Sequence, residues 1–141
     1  MCPACARDLV NQVRCRSALV GELLLVLLGH VGDGLRLLVC RDRPRGVRKA
    51  EETWDEWDPD LGPSRALHAD AYGKNGPPIS WEEYRERFLR EIAGQRGRIE
   101  ELAARVRAGE TITLLCSNSC VNDETCHRSL LRELIENAVG R

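Results

Sequence analysis

The chain has 141 residues, 43% hydrophobic and 30% charged, which is enough for one domain with its own core and too apolar for a disordered segment. Composition also excludes collagen-like, coiled-coil and disulfide-scaffold classes. The 21 Lys and Arg against 22 Asp and Glu leave a net charge of −1, which excludes a globally basic nucleic-acid binder but not a local basic patch.

The amino-terminal stretch opens with Cys2-Pro-Ala-Cys5, a single C-x-x-C, and Cys15 follows. A lone knuckle without a second pair reads first as a chain terminus and second as half of a metal site. With Cys40, Cys116, Cys120 and Cys126 the cysteines number seven. An odd count in a chain of this length predicts reduced thiols and a cytoplasmic location. Residues 18–29 form an apolar run behind Arg7, Arg14 and Arg16, imitating a secretion signal. Glu22 inside the run, the lack of a small-x-small cleavage site and the short length argue against secretion or membrane spanning. A buried strand or helix through residues 23–28 is expected instead.

Turn signals at Gly29, Gly32 and Gly34 precede a second apolar run at 35–40, read as a buried strand. Residues 41–49 carry Arg41, Arg43, Arg45, Arg48 and Lys49; residues 51–60 carry six acids with Trp54 and Trp57 between them. The tryptophans are expected to cover the core rather than stack on bases. Pro59, Gly62 and Pro63, then residues 73–78, read as loop.

Ser80 and Glu83 form a capping-box pattern, and Trp81, Tyr84, Phe88 and Ile92 behind them share one helical face. Gly94 and Gly97 are expected to weaken or kink that helix. A second amphipathic stretch carries Ile99, Leu102, Ala103 and Val106 and ends at Gly109. Residues 111–116 read as a strand, 117–125 as a polar loop, and the last helix buries Leu130, Leu131, Leu134, Ile135 and Ala138. This order predicts a single small α/β domain of two or three layers, with a mostly parallel sheet and flanking helices.

In such sheets ligands gather beyond the carboxyl ends of the strands. Cys116 ends a strand and Cys126 opens the next helix, so the two belong at one edge. Backbone N–H groups at the helix start stabilise a thiolate, and Arg128 can add to this or pin a substrate anion. His127 is a candidate proton carrier, although adjacent helical residues point about 100° apart. Asp123 and Glu124 would oppose thiolate formation if turned inward. Arg41, Arg43 and Arg45 follow a strand end and are candidates for the same crevice, where guanidinium groups favour phosphate or carboxylate. The competing readings are packed cysteines and a solvated loop paired with the acidic run behind it.

The segments LRLLVCRDRPRGVRK, TWDEWDPDLGPSRALH, ISWEEYRERFLREI, and ITLLCSNSC with CHRSLLRELI occur in an order that resembles the domain-of-unknown-function 488 (DUF488) family. The resemblance covers residues 33–137, with Arg43-Pro44-Arg45-Gly46-Val47 and Cys126-His127-Arg128 as its most specific parts. It implies a domain over 31–141 preceded by an extension at 1–30, with no established activity. It also implies a cysteine-bearing branch in which two cysteines recur at the places of Cys116 and Cys126.

The functional expectation is a thiol-bearing, anion-binding crevice. Cys116, Cys126 and His127 are its catalytic candidates, and Arg128, Arg41, Arg43 and Arg45 its clamp for a small anionic, phosphorylated or nucleotide-like ligand. The alternative is a nucleic-acid or protein interaction module built on 41–49. No cofactor is expected; zinc on Cys116, Cys120, Cys126 and His127 is the lesser alternative.

Overall fold

The apolar strand runs and amphipathic helices read from the sequence assemble, in a computed structural model, into an α/β domain. The structure describes residues 13–17 (backbone only), 34–116 and 125–141. The expectations for Cys2, Cys5, residues 23–28, Cys120, Asp123 and Glu124 lie outside the described residues.

Four strands, β1 (Val13–Ser17), β2 (Leu35–Leu38), β3 (Glu56–Trp57) and β4 (Ile112–Cys116), form a sheet in the order β1-β4-β2-β3. All three pairings are parallel, with Leu35 opposite Ile112 and Leu37 opposite Leu114. Strand alternation then sorts the side chains. Leu37, Ile112 and Leu114 share one core with the helices, whereas Leu38 and Leu115 form a second cluster against Cys40 and Trp54. Among the described residues every helix therefore packs on the same face of the sheet.

Among the described residues there are four α-helices, α1 (Arg65–Ala71), α2 (Trp81–Ile92), α3 (Arg96–Arg107) and α4 (His127–Val139), of which the last three follow from local signals. The Ser80 hydroxyl caps α2 by accepting from the Glu83 backbone N–H at 3.2 Å, relieving one of the unpaired donors at the helix start. Tyr84, Phe88 and Ile92 are buried behind it. At Gly94 the chain tightens into a short 3-10 turn, Ala93–Gln95, before α3 begins. Gly109, at φ +99°, ends α3 in a conformation open to glycine.

Three details differ from the sequence reading. β2 ends at Leu38 rather than at residue 40, because the carbonyl of Val39 is taken by His127 and that of Cys40 by the Trp57 indole N–H at 2.8 Å. Trp54 does cover the second cluster, but Trp57 is 41% exposed and acts through that indole donor. Arg36, inside the apolar run, is fully buried, its Nε donating to the Thr53 carbonyl and its backbone N–H to Asp55.

Candidate active site

β4 runs in parallel beside β2, so the ends of both strands, and the start of α4 that follows β4, meet at one edge of the sheet. Cys116 is the last residue of β4. Cys126 is the N-cap of α4, with extended backbone (φ −122°, ψ 147°). That conformation corrects the expected 100° divergence between Cys126 and His127. Because Cys126 is not yet helical, its sulfur turns back over the first turn, and His127 Nδ1 lies 3.6 Å from it.

The imidazole is held from its other side. His127 Nε2 lies 2.7 Å from the Val39 carbonyl oxygen. A carbonyl only accepts, so Nε2 carries the hydrogen and the Nδ1 lone pair, or its proton, faces Cys126. The ring is further fixed by Phe88, at a centroid distance of 5.7 Å. From the third side Arg128 Nε donates to the Cys126 sulfur at 3.3 Å. Cys126 Sγ thus receives a guanidinium N–H, faces an imidazole nitrogen and sits at a helix start, a combination that favours thiolate over thiol. Cys116 Sγ completes the group: the two sulfurs and the imidazole nitrogen lie within 4.8 Å of one another. Cys116, Cys126 and His127 are each only 3% exposed, and Arg128 is fully buried.

These groups are not sealed in packing. Cys116, Cys126 and His127 line a cleft of about 940 Å³, and Arg41, Arg43 and Arg45 line it with them. The sequence reading gave Arg128 either to the thiolate or to a substrate anion; the structure buries it with Nε on the sulfur, and it is not among the residues lining the cleft. Beside Trp81, the first residue of α2, the cleft is lined by residues the sequence reading missed, from α1 and the turn after it: Arg65, His68, Tyr72 and Lys74. No motif marks them, because α1 is a single short helix between loops.

The rim cations are not equivalent. Arg41 is tied down by the carbonyls of Gly62 and Pro63 and by Asp60, at 2.9, 3.3 and 3.3 Å. Gly62 allows this approach, since a Cβ there would stand 2.5 Å from the Arg41 backbone nitrogen. Arg43 pairs with Glu52 at 2.6 Å and lies over the Trp54 ring at 5.6 Å. Arg65 pairs with Asp42 at 2.8 Å and, with its hydrogen bond as the main cause, holds that carboxyl below its ordinary range. Arg48 pairs with Glu51. The basic stretch is thus largely matched by the acids behind it, while Arg45 and Lys74 reach the cleft without a carboxylate partner among the described residues. His68 is pushed below its ordinary pKa, chiefly by burial and then by the nearby Lys74 and His127.

Residues 23–139 match the family model described as the active DUF488-N3 subclade. Over 85 residues the chain is 34% identical to the uncharacterized protein YeaO of Escherichia coli (strain K12), covering 60% of this chain and 70% of YeaO. No solved structure matches the chain significantly.

Proposed function

We propose that this chain, which belongs to the DUF488 family, is a thiol-dependent enzyme acting on a small anionic molecule. Its reacting group is the Cys126 sulfur and its substrate enters the cleft with a phosphate or carboxylate toward Arg45 and Lys74. The observation that carries this reading is the Cys126 environment: a sulfur 3.6 Å from a fixed imidazole nitrogen and 3.3 Å from a guanidinium N–H, on the floor of a cation-rimmed cleft. Nucleophilic cysteines are activated by this kind of neighbour.

In the proposed step the Cys126 thiol proton passes to His127 Nδ1, and the sulfur forms a bond to an electrophilic carbon of the substrate. The bond from that carbon to the leaving group breaks, and the leaving group departs with the proton from His127. Arg128 is a positioning residue: it steadies the negative charge on sulfur and does not touch the substrate. Cys116 stands beside the reacting sulfur as its neighbouring thiol. The pairing of Arg41, Arg43 and Arg48 with acids leaves too little open charge for a long phosphate backbone. That favours a pocketed anion over nucleic acid, whose binding would need many phosphate contacts.

Labelling of metal-free protein with iodoacetamide at pH 7, followed by peptide mass spectrometry, tests this reading. Cys126 should be labelled faster than Cys40, and inorganic phosphate should slow that labelling in the wild type but not in R45A/K74A. Equal rates at the two cysteines, or phosphate without effect, would remove the reading.

A further inference from the structure

The same floor has a second capacity that does not depend on the enzymatic reading. We propose that Cys116, Cys126 and His127 form a binding site for a thiophilic divalent ion, zinc being the fitting example, on the wall of the cleft. Occupancy of this site would withdraw both sulfurs from reaction.

The argument rests on distances and donor chemistry. The two sulfurs and the imidazole nitrogen lie within 4.8 Å of one another. With zinc–sulfur bonds of about 2.3 Å and zinc–nitrogen of about 2.05 Å, a tetrahedral angle places S and N about 3.6 Å apart. Cys126 Sγ and His127 Nδ1 are 3.6 Å apart. The pair is therefore already at the edge length of a zinc tetrahedron.

The imidazole is also prepared in the required sense. A metal-binding histidine donates its other ring N–H to a carbonyl or carboxylate, which fixes the tautomer and directs the lone pair at the ion. Here Nε2 lies 2.7 Å from the Val39 carbonyl oxygen, and Nδ1 faces the Cys126 sulfur. Two thiolates and one neutral imidazole match the preferences of zinc among common ions, and their two negative charges balance a divalent cation. Binding is balanced by release of whatever protons the two thiols still carry. Arg128 Nε, donating to Cys126 Sγ, is the outer donor that such a thiolate accepts. All three ligands line the cleft, so an ion held there would meet the space a substrate would enter.

The sequence reading also offered Cys120 as a ligand, and Cys120 lies outside the described residues. The three described ligands are the number that a protein supplies to a reactive zinc ion.

Two measurements on the full-length protein, first treated with chelator, test the proposal. Cobalt(II) titration should reach one equivalent, with the intense visible bands of tetrahedral cobalt and a sulfur charge-transfer band. Both should vanish in C116S and in C126S. In the wild type, one equivalent of zinc should slow iodoacetamide labelling of both the Cys116 and Cys126 peptides by about tenfold or more, and chelator should restore it. Absence of the bands, their survival in either variant, or unprotected Cys116 and Cys126 would overturn the site. The labelling arm needs no substitution, so a variant that failed to fold would not decide the matter. Slow labelling of the metal-free protein beside intact cobalt bands would sink the thiolate reading alone; fast labelling without bands would sink the metal site alone.

Discussion

Two parts of one helix are buried to the same degree and are held by different forces. Beyond its first turn, α4 presents Leu130, Leu131, Ile135 and Ala138 to a core shared with Phe88 and Leu102. Its start buries Cys126, His127 and Arg128 instead. The apolar stripe is stabilised by area removed from water and tolerates rotation or exchange of similar shapes. The polar start is stabilised only through directed bonds, since each buried polar group without a partner costs free energy. Substitutions in the stripe should therefore change stability and spare the chemistry, whereas substitutions at the start should change the chemistry first.

The largest effect is expected in the stripe. Leu131→Ala removes a fully buried side chain and should lower unfolding free energy by about 2–5 kcal/mol, read from the denaturant midpoint. Cys126 labelling in the folded fraction should keep the wild-type rate; a large fall would mean the two parts are not separable. At the helix start, Arg128→Met keeps the volume and removes the donor to sulfur. A hydrogen bond to a charged group is worth about 1.5–3 kcal/mol, so labelling of Cys126 at pH 7 should fall about tenfold or more while the circular dichroism stays native. An unchanged rate would assign Arg128 to packing alone.

The rim lies between these extremes. Gly62→Ala places a methyl 2.5 Å from the Arg41 nitrogen and should cost about 1–3 kcal/mol, with weakened phosphate protection of Cys126 because the Arg41 loop is displaced. Wild-type stability together with wild-type protection would show that the loop is slack.

How much of this was legible in the sequence follows the same division. Period and caps located α2, α3 and α4 because each carries an apolar stripe between recognisable ends. The rule that ligands gather beyond parallel strand ends brought Cys116 to Cys126 without any contact being visible. What stayed hidden depends on direction or on tertiary context. Arg128 looks like an anion clamp in sequence and turns inward because its Nε finds a sulfur. Cys126 and His127 meet because the N-cap is extended rather than helical. β3 is two exposed residues in an acidic run, recognisable only by the backbone bonds of Asp55 to Arg36 and Asp58 to Leu38. Lys74 and His68 reach the cleft from a segment without periodicity.

The smallest effect concerns pH. His68 has a folded-state pKa below 6.5, with burial as the main cause. The unfolded chain therefore binds the proton more readily, and this contribution to stability is present above pH 6.5 and lost as pH falls through the lower folded value. In unfolding titrations between pH 7.5 and 5.5, His68→Gln should lose less stability on acidification than the wild type. Parallel profiles would mean that His68 is as well solvated folded as unfolded.

The pH dependence of Cys126 alkylation in metal-free protein bears most directly on the cleft floor, followed at that peptide alone with C126S as the blank. A sulfur held by Arg128 and His127 should react half-maximally well below pH 8.5, the value for an unperturbed thiol. A midpoint at or above 8.5 would contradict the thiolate and leave Cys126 as a packed residue.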